Sequence, residues 1–154
     1  MATWMTHLRV GDLLFEAIGA PWLDPLLFAF GSVAPDNGLP LPDGRYEPPK
    51  ATTHYGHSDD RDYARFAREN LIGVVDDQVY SFYLGYYLHI ATDEAWVKSV
   101  YRAQRRAFRD TFQSDAACNA AVKAEWDVLD FRFLRERGAP RLLDALMRAD
   151  GMPA

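Results

Sequence analysis

Residues 77–99 read DQVYSFYLGYYLHIATDEAWVKS, a proline-free run whose Phe82, Tyr86, His89, Asp93 and Trp96, with Val100 just beyond it, follow one another at intervals of 4, 3, 4, 3 and 4. That is the period of an α-helix, so these side chains share one face. The face is aromatic and apolar except at His89 and Asp93, which predicts a long, largely buried helix with a polar pair set into its inner side. An unpaired carboxylate buried there costs several kcal/mol or takes up a proton. Two compensations suit it. One is a metal cation, which needs ligand groups at this spacing; the other is a buried His–Asp hydrogen bond.

Working outward, further helices are expected on both sides. Residues 3–18 form an amphipathic helix capped by Thr3 or Thr6 and ended by Gly19-Ala20-Pro21. His7, Gly11, Leu14 and Ile18 share its inner face. A short helix follows, with Asp24 as cap and Pro25 in the first turn, stopping at Gly31. Residues 59–71 read as a charged helix opened by Asp59-Asp60. After the central helix come a basic helix over 100–112, a helix over 115–137, and a last one near 140–149 beyond Gly138-Ala139-Pro140. No repeat and no convincing strand is present. The expectation is an all-α, single-domain bundle of six or seven helices over residues 1–154, with a long Pro-rich metal-binding loop.

That loop, about Val33 to Ser58, lies in the proline-dense part of the chain: seven of the nine prolines fall between Pro21 and Pro49. So much proline excludes helix and disfavours strands. A loop this long inside a small domain is usually functional or disordered. Within it, Gly31-Ser32-Val33-Ala34-Pro35-Asp36 either aims Asp36 rigidly inward or makes an ordinary Pro-Asp-Asn-Gly turn. Thr52-Thr53-His54-Tyr55-Gly56-His57 brings two of the chain's four histidines within four residues. A lone loop histidine is commonly just solvated. His7, in Trp4-Met5-Thr6-His7-Leu8, is either a ligand or a buried, hydrogen-bonded core histidine.

Composition narrows the chemistry. The 154 residues suit one core, 49% being apolar, and the formal net charge of -5 disfavours duplex nucleic acid and anionic lipid as general partners. The single cysteine, Cys118, excludes an internal disulfide and a cysteine-based zinc site, so any metal falls to His, Asp and Glu. No run approaches the ~20 apolar residues of a membrane span. Residues 1–18 lack the uninterrupted apolar stretch of a signal peptide, and a cytoplasmic location is the simpler expectation. Trp22, Leu23, Leu26 and Phe30 read as core rather than as a membrane-facing patch.

Trp4-Met5-Thr6-His7-Leu8, Gly31-Ser32-Val33-Ala34-Pro35-Asp36, Thr52-Thr53-His54-Tyr55-Gly56 and Tyr83-Leu84-Gly85-Tyr86-Tyr87-Leu88-His89-Ile90-Ala91-Thr92-Asp93 occur in an order that resembles the zinc-dependent phospholipase C family, including its short uncharacterised bacterial branch. The likeness spans roughly residues 3–96. That family is all-α, hydrolyses phosphodiesters at a zinc cluster, and is akin to the helical zinc nucleases. The resemblance implies that Asp36, His54, His89 and Asp93 hold one zinc, and that His7 holds a second with Asp93 bridging. Two of the chain's departures from the family bear on its metal ligands. Trp4 is internal where the phospholipases bind metal through an N-terminal tryptophan, and no histidine follows His89 to build a third zinc site. One or two ions are therefore expected. Glu125, Asp127 and Asp130 read as a polar helix face.

The function expected is a metal-dependent hydrolase acting on a phosphate ester or phosphodiester, with Asp36 doubling as base. His57, Tyr55, Tyr86 and Trp96, with the arginines of 102–109, are candidate substrate contacts; a small phosphate ester or lipid head group is the implied ligand. The alternative is a non-catalytic protein with a structural metal. A His-Asp dyad phosphohydrolase is disfavoured, because no histidine here is directly followed by aspartate.

Overall fold

The computed structural model describes residues 2–57 and 60–150. Its helices are α1 (Trp4–Ile18), α2 (Pro25–Val33), the single turn α3 (Lys50–Thr53), α4 (Tyr63–Asn70), α5 (Asp77–Trp96), α6 (Arg102–Phe108), α7 (Asp115–Arg137) and α8 (Arg141–Asp150). The fold is all-α. Its only sheet structure among the described residues is two antiparallel pairs of two-residue strands. Leu39–Pro40 (β1) pairs with Tyr46–Glu47 (β2), and Gly56–His57 (β3) with Asp60–Arg61 (β4).

Local chemistry accounts for the helix ends. Thr3 caps α1, its hydroxyl accepting from Thr6 N at 3.1 Å, and Gly19 closes the helix in the left-handed region at φ 56°. Asp24 accepts from Leu26 N and Leu27 N at the start of α2, and Asp76 does the same for Gln78 N and Val79 N on α5. The cap of α8 comes from elsewhere. Asp12, on α1, accepts from Arg141 N at 2.7 Å and Leu142 N at 3.0 Å, which docks α8 onto α1 and sinks Leu142 into the core.

Helices α2 and α5 cross with their backbones in contact. A Cβ placed on Gly31 would overlap the carbonyl of Phe82, and one placed on Gly85 would overlap the carbonyl of Phe28. The expectation that Gly31 ends its helix is corrected here: α2 runs on to Val33, and the glycine is spent on the crossing. Around it lies the main core, with Leu8, Leu23, Phe28, Ala29, Val33 and Leu142. A second core joins Cys118, Val122 and Trp126 of α7 to Trp96, Tyr101 and Phe112. A π-helical turn over Val97–Tyr101 links α5 to α6.

Three further expectations are adjusted. The segment predicted to lack helix and strand contains α3 and most of the two strand pairs, both too short to register as a period. The charged helix begins at Tyr63 with Asp62 as its cap, Arg65 N donating at 2.7 Å, while Asp60 and Arg61 are strand; Asp59 lies outside the described residues. Leu23 is core as expected, but Trp22 and Phe30 are exposed, at 38% and 40%. No helix is long and apolar enough to cross a membrane, among the described residues.

Candidate metal centre

Five side chains from four segments converge beneath the α2–α5 crossing. His7 comes from α1 and Asp36 from the 3-10 turn Ala34–Asp36 that continues α2. His54 caps the C-terminal end of α3, and His89 and Asp93 lie one turn apart on α5. His7, His54, His89 and Asp93 are buried, and the Asp36 side chain is 8% exposed.

Proton positions follow from the partners. His89 Nδ1 lies 2.8 Å from Ser32 O, and His54 Nδ1 lies 3.0 Å from Lys50 O. A carbonyl oxygen can only accept, so both Nδ1 atoms carry hydrogen and, in the neutral rings, both Nε2 atoms present lone pairs. Those two lone pairs face each other across 3.4 Å. Carboxylates close the group. His54 Nε2 is 3.5 Å from Asp36 Oδ1 and 3.4 Å from Asp93 Oδ2, and His89 Nε2 is 3.9 Å and 4.0 Å from the other Asp36 oxygen and from Asp93 Oδ2. Nitrogen and oxygen ligands around one tetrahedral zinc stand about 3.4 Å apart. The donor set and its spacing fit a divalent cation. The backbone carbonyls on the far side of each imidazole are the usual means of fixing a metal-binding histidine.

His7 adds a second group. Its ring stacks on His89 with centroids 3.7 Å apart and an interplanar angle of 11°, and its Nε2 lies 3.4 Å from Asp93 Oδ1. Neither nitrogen has a hydrogen-bond partner among the described residues. Two buried donor groups thus overlap, His7–Asp36–His89 and His54–His89–Asp93, each compact enough to surround an ion. Ala2 N also donates to Asp93 Oδ1 at 2.7 Å.

Electrostatics separate the two histidines of α3 and α5. Burial, with the His7 ring beside it, pushes His89 down from 6.5 to about 3, so it is neutral. Burial alone would lower His54 as well, but its contacts with Asp36 and Asp93 outweigh that and raise it. For both carboxylates burial acts upward and is overcome. His54 and Lys50 hold Asp36 well below the ordinary carboxylate range, and His54 and His7 do the same for Asp93.

Two cations that sequence reasoning passed over complete the picture. Lys50 Nζ donates to Asp36 Oδ1 at 2.8 Å, and Arg61 Nη2 donates to Asp93 Oδ2 at 3.3 Å. With His54 and Lys50 beside it Asp36 stays ionised, the form a metal ligand needs. Of the nominated substrate contacts, Tyr55 receives a hydrogen bond from Asn70 and packs edge-on against Phe66; Tyr86 donates to Thr53 O at 2.5 Å. Both tyrosines therefore brace the loop that carries His54. His57 is exposed on β3, and Arg105 and Arg109 pair with Asp115. Trp96 packs edge-on against Trp126 in the second core. No family model matches the chain, and neither a curated protein nor a solved structure matches it.

Proposed function

We propose that this protein is a metal-dependent hydrolase of phosphate esters, allied to zinc-dependent phospholipase C. Asp36, His54, His89 and Asp93 would hold one zinc ion, and His7 with a shared Asp93 would hold a second. The observation that carries the reading is the pair of facing Nε2 lone pairs, 3.4 Å apart and ringed by two ionised carboxylates. Such a group of acceptors is mutually repulsive until a proton on His54 or a metal cation joins it. A divalent ion there supplies Lewis acidity toward a phosphoryl oxygen and acidifies water at neutral pH. The chain's own part is to fix the ligands. Ser32 O and Lys50 O orient the two imidazoles, and Tyr86 holds the turn that precedes His54.

The test is metal content together with turnover of a generic phosphodiester and a generic phosphomonoester. Protein purified without a histidine tag should retain about one or two zinc ions per chain. His89→Ala and Asp93→Ala should each lose metal and at least ~100-fold in activity. Full activity in either variant refutes the assignment.

A structural metal is the second reading, favoured by how little of the cluster meets solvent: the side chains of His7, His89 and Asp93 are 1% exposed or less. A chelator would then lower the unfolding temperature sharply, with no turnover on either ester whichever metal is supplied.

A further inference from the structure

Among the described residues, Arg61 combines a buried side chain with idle donors. It ends β4, its side chain is 2% exposed, and only Nη2 is engaged, with Asp93 at 3.3 Å. Nε and Nη1 find no acceptor among the described residues. A guanidinium cannot shed its proton, and idle buried donors are costly. A metal ion does nothing for them, since donors need an acceptor.

The charge of the cluster points the same way. Asp36 and Asp93 are matched by Lys50 and Arg61. A divalent cation added to that set leaves a surplus of two positive charges in a nearly closed site, where uncompensated charge is expensive. Idle donors and surplus charge have one common remedy, an anion with several acceptor oxygens. Arginine meets such oxyanions with charge-assisted hydrogen bonds.

We propose that Arg61 is the anion-binding residue of this site, holding a tetrahedral oxyanion of the phosphate class beside the metal position. The inference rests on the metal reading for its charge count, but the idle donors of Arg61 stand without it. The cluster meets solvent at the Lys50–Asp36 edge, where Lys50 is 30% exposed.

The experiment is calorimetric titration of inorganic phosphate, a phosphomonoester and a phosphodiester into zinc-loaded protein, metal-free protein, and the zinc-loaded variants Arg61→Lys and Arg61→Met, with zinc content measured on each sample. The expected result is binding of at least one of these oxyanions at one site, weakened about tenfold or more in Arg61→Lys at unchanged zinc content. Arg61→Lys keeps the positive charge beside Asp93, so it serves if Arg61→Met fails to fold. Should the wild type hold no zinc, the metal reading fails; Arg61-dependent phosphate binding by that same protein would still support this proposal. Two results overturn it. One is an oxyanion affinity unchanged in Arg61→Lys, which would make Arg61 merely a support for Asp93. The other is no binding of any of the three to the wild type at millimolar concentration, in either the zinc-loaded or the metal-free form.

Discussion

Asp93 is the residue on which most of the cluster depends. It contacts His7, His54, His89, Arg61 and the amide of Ala2. Replacing it with alanine leaves Arg61 buried with no partner among the described residues, so Asp93→Ala should destabilise even chelator-treated protein by about 3 to 5 kcal/mol in urea unfolding. A loss under ~1 kcal/mol would mean that the guanidinium finds water or another acceptor once Asp93 is gone. The histidines set the pH response of the metal-free form. His89 is lowered to about 3 from 6.5, so the unfolded chain takes up a proton in that window and the folded chain does not; stability falls as pH falls through it. The depressed carboxyls of Asp36 and Asp93 act in the same direction below their ordinary range. His54 is raised, so its contribution is complete below 6.5 and is lost as pH rises through its folded value. Metal-free protein should therefore be most stable near 6.5. Zinc affinity should instead climb with pH, because zinc must displace the proton of His54. Urea melts over a pH series, with chelator competition at about pH 6 and 8, measure both; a zinc affinity that is flat over that interval contradicts the assigned role of His54.

At the level of elements, the α2–α5 crossing does the positioning. Because Gly31 and Gly85 let the two backbones touch, the carbonyl of Ser32 comes within 2.8 Å of His89 Nδ1, and Asp36 is delivered one turn later. Gly85→Ala adds a methyl group where the Phe28 carbonyl already lies, so it should cost about 3 kcal/mol or more and lower zinc affinity with it. Thermal unfolding and zinc competition read the two effects, and a variant that is destabilised yet binds zinc normally would uncouple crossing from site. The helices themselves were legible in the chain. Residues 77–99 repeat with helical period and lack proline, and Asp24-Pro25 marks a helix start. Gly31 was misread because a glycine close before a proline looks like a terminator. Only the partner helix, with Gly85 at the matching height, reveals it as a contact.

Across the whole molecule, the candidate site depends on segments far apart in sequence, since His7 and Asp93 are separated by 86 positions. The polar groups of α5 were readable because a histidine and an aspartate stood four apart on an apolar face. Lys50 and Arg61 were not. Long charged side chains in polar segments normally extend into solvent, and nothing local marks them for burial. Their roles exist only after the chain between α2 and α4 has folded across α5. That segment is held against α5 by the hydroxyl of Tyr86 on Thr53 O, at 2.5 Å, one residue from His54. An ion enclosed by these five side chains would leave only when one of them swings away, and His54 is carried on the single helical turn α3. In the proposed metal-bound form the Tyr86 hydroxyl would therefore act as a latch on residence time. Tyr86→Phe should speed zinc loss to excess chelator by about tenfold, roughly one hydrogen bond's worth, with little change in fold. If release is no faster, the ion escapes past another wall.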